Sequence, residues 1–291
     1  MTEAAPRRWR SIWLSDVHLG TRGCQAELLL EFLRHNRADR IYLVGDIIDF
    51  WAMRRGLYWP PSHGKLLQRF LELARRGTEV VYVPGNHDES LREYRGLTYQ
   101  GLRIERTAVH EGPDGRRYLV LHGDEFDMVV KNMPWLSKIG DVGYSVLLWT
   151  NRWFNVGRRV LGLRYWSLSA YVKLRVKNAV QYISRFEELV AETARRRKFD
   201  GVICGHIHHA EIREIDGVAY MNDGDWVESN TALVETFAGD FEILRWNEER
   251  PHADPARDRR VAPAGERSDA HALAERDGAR APRPHRVGAR P

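Results

Sequence analysis

The chain has 291 residues, 43% of them apolar and 29% charged, with a formal net charge of +5. That length permits one large domain or two small ones, and the composition is that of a folded globular protein rather than a fibrous one. The mild positive charge suits an anionic substrate or a membrane surface without requiring nucleic acid, and two cysteines, Cys24 and Cys204, exclude a disulfide framework and suit a reducing compartment.

Met1 to Arg10 has no apolar signal-peptide core, and residues 1–8 read as a loose arm. A first strand, Ser11 to Leu14, then delivers Asp16 and His18. Period-two alternation would put both side chains on one side, where they can hold one cation. A helix is expected over Gln25 to Asn36, followed by a buried strand, Arg40 to Val44. That strand runs into Gly45-Asp46-Ile47-Ile48-Asp49, where the glycine lets the backbone turn tightly and Asp46 projects into the expected ligand crevice. Trp51 to Pro61 reads as an irregular aromatic loop, His63 to Arg75 as a helix, and Val80 to Val83 as a third strand presenting Asn86 and His87. Strand and helix alternate to this point, which implies a largely parallel sheet.

From Arg103 the helices give way to short strands, with a hairpin turn at Gly112 to Gly115 and His122 after Tyr118 to Leu121. Residues from about 129 to 198 interrupt the strands. Apolar positions from Ile139 to Leu163, including Trp149 and Trp153, recur at helical spacing, and a second helix beginning after Ser167 or Ser169 carries Lys173 and Lys177. This insertion either packs on the main domain or caps the site and meets lipid; one stripe can do both. No charge-free stretch there is long enough to span a bilayer. Strand Gly201 to Cys204 then ends in Gly205-His206-Ile207-His208, and further strands follow to Trp246. Gly224-Asp225-Trp226 reads as structural. His35, His63 and His110 lack the strand-end setting and read as packing or surface histidines. Beyond Asn247 the chain is rich in Arg, Ala, Pro and Asp, too poor in large apolar residues to offset its ordering entropy, and is expected to be disordered.

Five strand ends carrying Asp, His or Asn are more than turn chemistry explains, and their imidazole and oxygen groups suit Mn, Fe or Zn. The ordered set Asp-x-His, Gly-Asp-x-x-Asp, Gly-Asn-His-Asp, His-Gly-Asp and Gly-His-x-His resembles the calcineurin-like metallophosphoesterases over about the first 246 residues. The resemblance implies an α/β sandwich of two mixed β-sheets packed face to face and flanked by helices, here spanning 1–246 with a helical cap insertion at 129–198 and a tail at 247–291. It implies two divalent metals, manganese foremost with zinc or iron as alternatives. Asp16, His18 and His208 would hold one, Asn86, His122 and His206 the other, and Asp46 would bridge them. Three residues after Asp46, Asp49 is placed either to orient a histidine ligand from behind or at the surface; Asp124 would orient a ligand in the same way, and His87 would protonate the leaving group. A metal-bridging hydroxide would attack phosphorus.

Within that superfamily, Ser15 to Gly20, Gly45 to Trp51 and His122 to Asp127 look most like the UDP-2,3-diacylglucosamine hydrolases of lipid A synthesis. That resemblance implies cleavage to UMP and 2,3-diacylglucosamine 1-phosphate, a cytoplasmic enzyme lying on the inner membrane, and a cap in which Trp149 and Trp153 shelter acyl chains while Lys173 and Lys177 hold diphosphate and sugar. The chain departs from those hydrolases in carrying His87 where they have Arg, and His209-Ala210 where they have Arg-Pro. A phosphodiesterase or phosphatase acting on another lipid or nucleotide is the competing enzyme class. A metal-bound scaffold without turnover is the non-enzymatic one. A nuclease would need repeated basic and aromatic stacking groups, which the sequence lacks outside the cap.

Overall fold

The computed structural model describes residues 5–127 and 168–249, with 168–179 as backbone only. In chain order these residues form β1 (Arg7–Leu14), α1 (Ala26–His35), β2 (Asn36–Val44), α2 (Phe50–Arg55), α3 (Pro61–Arg75), β3 (Glu79–Val83), β4 (Thr98–Tyr99), β5 (Leu102–Ile104), β6 (Ala108–Glu111), β7 (Arg117–Val120), α4 (Leu168–Arg196), β8 (Gly201–Cys204), β9 (Glu211–Ile215), β10 (Val218–Asn222), β11 (Thr231–Glu235), β12 (Phe241–Arg245) and α5 (Trp246–Glu249). Trp149, Trp153 and the chain from Arg250 onward lie outside the described residues, as do the side chains of Lys173 and Lys177 on α4.

Two mixed sheets result, as the sequence leads one to expect. One runs β12-β11-β1-β2-β3-β5-β4 and the other β6-β7-β8-β10-β9. β1, β2, β3 and β5 are mutually parallel, as are β7, β8 and β10, so the C-terminal ends of each parallel set share one edge. Strand alternation sorts the core into three layers. Ile12, Leu14, Ile41, Leu43, Val80 and Tyr82 face α1 and α3. Their neighbours Trp13, Tyr42, Val44, Val81 and Val83 face the second sheet, meeting Tyr118, Val120 and Ile203. Leu119, Val202 and Cys204 face outward beneath α4, whose Phe186, Val190, Ala191 and Ala194 cover them. Residues 186–194, inside the range expected for the cap, therefore belong to the core.

Three local expectations are corrected. Arg7 and Arg8 are not a loose arm: β2 begins at Asn36 and pairs with them in parallel, while Trp9 buries its ring and donates Nε1–H to Asn36 Oδ1 at 2.9 Å. The loop after Asp49 opens with a short helix, α2, because the Asp49 carboxylate caps it by accepting from Ala52 N at 2.7 Å. The chain past Trp246 is helical to Glu249, whose carboxylate accepts from Arg7 at 2.8 Å.

Candidate metal centre

The expected ligands come together at the shared edge, though not by strand alternation. Asp16, His18, Asp46, His206 and His208 all lie beyond the strand ends with positive φ, between 51° and 72°. Non-glycine residues rarely adopt that left-handed conformation, and its clustering is characteristic of functional loops. It turns each side chain back over the sheet edge.

Asp46 lies at the middle. Its Oδ1 accepts from His87 N at 2.8 Å, which leaves Oδ2 facing His122 Nε2 at 3.4 Å, His87 Nε2 at 3.9 Å and His18 Nε2 at 4.0 Å. On one side Asp16, His18 and His208 converge; on the other, Asp46, His122 and His206 do. Asp16 Oδ2 is occupied by Ser15 Oγ at 2.6 Å and His206 N at 2.9 Å, so Oδ1 points to His208 Nε2 at 3.1 Å. Asp16 Oδ1, Asn86 Oδ1 and His122 Nε2 are buried without a hydrogen-bond partner among the described residues. Orphaned buried acceptors are costly unless something else satisfies them. Atoms that crowd within 3–4 Å without hydrogen-bond alignment are arranged around a third centre, and this donor set fits divalent metal ions.

The histidines are oriented from behind. His122 Nδ1 lies 2.8 Å from the Val44 carbonyl oxygen, which can only accept, so Nδ1 carries the proton and Nε2 offers its lone pair inward. Asp49 Oδ2 does the same for His18 Nδ1 at 3.1 Å and also lies 3.0 Å from His87 Nδ1. Asp124, expected behind a ligand, is instead paired with Arg92 at 2.7 Å. His206 Nε2 meets Asp127 Oδ1 at 2.8 Å, and Tyr182 of α4 donates to the same oxygen at 2.6 Å.

The profile of the calcineurin-like phosphoesterases matches residues 10–210, which contain every one of these ligands. The chain belongs to the calcineurin-like phosphoesterase family. It is a metal-dependent phosphoric ester or diphosphate hydrolase. It is 30% identical over 251 residues to a UDP-2,3-diacylglucosamine hydrolase of Pectobacterium carotovorum, covering 78% of this chain and 95% of that one. It is 26% identical over 240 residues to the hydrolase of the same name from Aeromonas salmonicida, covering 77% and 89%. A third such hydrolase, from Porphyromonas gingivalis, is 31% identical over 127 residues, covering 40% of this chain and 47% of the relative. The chain thus matches about half the length of that last relative.

The carboxylates and imidazoles of the phosphoesterase site shift one another's ionisation. Burial opposes ionisation of Asp16, yet the imidazoles of His208, His122 and His18 hold its carboxyl well below the usual range. Burial likewise opposes ionisation of Asp46 and Asp49; His122 lowers the first, and His18, His87 and the Ala52 amide lower the second. Burial disfavours protonation of His122 and His208 as well, but neighbouring Asp46 pushes the first up to about 10 and Asp16 the second to about 9. Carboxylates held ionised against burial favour entry of cations.

Sequence reasoning missed most of the groups that support this arrangement. Asp88 is buried and accepts from Gly85 N at 2.6 Å, Ile47 N at 2.9 Å and Tyr82 OH at 2.5 Å, joining the loops after β2 and β3. Ser15 Oγ links Asp16 to buried Asp223 at 2.7 Å. Asp225 accepts the amides of Val227 and Glu228, and Trp226 N donates to the Asp16 carbonyl at 3.1 Å. The sequence signal for Ser15 and Asp88 is an Asp or Ser one or two residues from an expected ligand; Asp223 has none, and the structural reading of Gly224-Asp225-Trp226 does not extend to its tie to Asp16. Of the histidines read as structural, His63 accepts from Gly20 N at 3.0 Å and His110 is fully buried between the sheets.

Proposed function

We propose that the protein hydrolyses the diphosphate of UDP-2,3-diacylglucosamine to UMP and 2,3-diacylglucosamine 1-phosphate. The observation that carries this reading is the convergence of two ligand groups on Asp46 Oδ2 in a chain 30% identical to such a hydrolase over 95% of its length. In this reading Asp16, His18 and His208 hold one ion, Asn86, His122 and His206 the other, and Asp46 reaches both. Two divalent ions bound there supply an activated water and neutralise charge developing on the phosphoryl oxygens. Manganese is the ion we assign, and the mixed nitrogen and oxygen donors also accommodate zinc or iron.

Asp46 and Asp49 supply negative charge that draws cations in, and Asp49 and the Val44 carbonyl keep His18 and His122 turned inward. His87 is a quarter exposed, and although burial disfavours its proton, Asp49 and Asp46 raise its pKa. It can therefore present a protonated Nε2 to a departing oxygen. The insertion supplies the remainder on sequence alone: Trp149 and Trp153 shelter acyl chains, and Lys173 and Lys177 hold diphosphate and sugar. The enzyme works in the cytoplasm against the inner-membrane surface. Among the described residues no helix is long and apolar enough to cross a membrane.

His87 also favours a second reading, a phosphodiesterase or phosphatase acting on another lipid or nucleotide. An alkoxide leaving group needs a proton donor, whereas a phosphate leaving group is already a stable anion. The test is to strip the protein of metal, reload it with Mn and supply UDP-2,3-diacylglucosamine, identifying products by mass spectrometry. UMP with the lipid 1-phosphate supports the first reading. No reaction, beside brisk cleavage of an aryl phosphodiester, transfers the site to the second.

A further inference from the structure

A recess of about 340 Å3 adjoins His87 on the side of α2 and the turn after β3. One wall is Trp51, 39% exposed, whose indole leans on the His87 imidazole at 4.4 Å between centroids and 38° between planes. Arg54 lies three residues further along α2. The facing wall is the 3-10 turn Glu89–Tyr94, which presents Glu89, Ser90 and Glu93. Arg54, Glu89, Ser90 and Glu93 form no side-chain hydrogen bond or ion pair with the described residues. Arg92, by contrast, is pinned by Asp124 and the Pro84 carbonyl, so this wall has a fixed base beside the metal centre.

An exposed indole with unengaged carboxylates, a hydroxyl and a guanidinium around a small recess defines a narrow class of ligand. Acyl chains would draw nothing from these four exposed polar groups. A free phosphate would meet two carboxylates and gain nothing from the indole. A ribonucleoside satisfies all of them: a planar base stacks on an indole face, carboxylates accept from a ribose diol as they do in dinucleotide sites, and a guanidinium donates to base carbonyls. The volume lies within the range of small-molecule sites.

We propose that this recess is the nucleoside subsite, with the base on Trp51, the ribose hydroxyls on Glu89 and Glu93, and Arg54 at the base carbonyls. The proposal rests on the diphosphate reading and adds an orientation: the nucleoside half of the substrate lies on the His87 side of Asp46.

Calorimetric titration of the Mn-loaded full chain with UMP, dUMP and inorganic phosphate tests it without turnover. UMP should bind more tightly than both. Trp51→Ala should weaken UMP roughly 5–150-fold, the range that loss of one base–aromatic stack produces, and leave phosphate unchanged, while Trp51→Phe restores most of the affinity. Glu89→Gln with Glu93→Gln should erase the preference for UMP over dUMP. UMP binding no tighter than phosphate overturns the proposal, as does a Trp51→Ala variant that weakens both ligands equally. If the lipid substrate is turned over while UMP binds like phosphate, this proposal fails and the diphosphate reading stands. If the lipid substrate is inert while UMP binding depends on Trp51, the reading fails and the subsite stands.

Discussion

Asp46 has two oxygens with separate tasks. Oδ1 is held by the His87 amide, and Oδ2 is left among three imidazoles. Asp46→Ala is expected to abolish turnover and to lower bound metal below two ions per chain, read by elemental analysis of the dialysed protein; full activity would refute the ligand assignment. His87→Ala should cost alkyl phosphoesters about 10²–10⁴-fold in kcat and pyrophosphates far less, and equal losses on both would remove its role as acid. Asp88 acts through geometry instead. Burial, then the Asp46 carboxylate, raises its pKa, yet its two oxygens accept from Gly85, Ile47, Ile48 and Tyr82. Asp88→Asn keeps the shape but turns an amide donor toward these donors. It should destabilise the fold by about 3 kcal/mol, measured as a fall in denaturation midpoint at constant slope.

At the scale of elements, glycines admit the ligands. A Cβ on Gly45 would collide with the His122 ring, and one on Gly85 with Asp46 Oδ1 and the same ring. At these two positions the loops after β2 and β3 close on His122 only because the residue before the ligand is glycine. Helix α4 is the other decisive element. Its Phe186 is fully buried against the second sheet, lies 6.0 Å from the His206 ring and covers Gly123. Tyr182, a turn earlier, holds Asp127 against His206. Phe186→Ala should lower stability by about 3–5 kcal/mol and also weaken the metal side built on His206. Unchanged metal affinity in a folded Phe186→Ala protein would show that α4 supports the sheet alone.

Across the whole molecule, the two sheets are clasped by a polar cluster far from the metal centre. Glu235 of β11 is fully buried, accepts two hydrogen bonds from Arg10 at 2.7 and 2.8 Å, and meets His110 of β6 at 3.1 Å. Burial opposes its ionisation, but His110 and Arg10 bring its pKa below the ordinary value of 4.5. A carboxyl with a depressed folded pKa stabilises the fold fully above its unfolded pKa and loses that contribution as pH falls through the folded one. Acid unfolding below about pH 4.5 should thus be steeper in the native protein than in Glu235→Gln, compared by circular dichroism; parallel curves would assign the acid sensitivity elsewhere.

The sequence by itself determined the layered α/β architecture and brought forward seven residues as candidate ligands. Short apolar runs bounded by glycine and polar turns read as buried strands, and five of them ended in a residue able to bind metal. It also pointed to the family, because five short blocks stand in the family's order, and the family profile matches residues 10–210. It did not reveal that Asp16 and His18 share a side through left-handed backbone rather than strand alternation, nor that Arg7 and Arg8 pair with a β2 beginning at Asn36. It did not separate Asp124, drawn off by Arg92, from Asp127, which faces His206. Those outcomes depend on which of several nearby carboxylates meets a cation or imidazole arriving from a distant segment. Local propensity carries no record of that partner, so only the tertiary structure decides it.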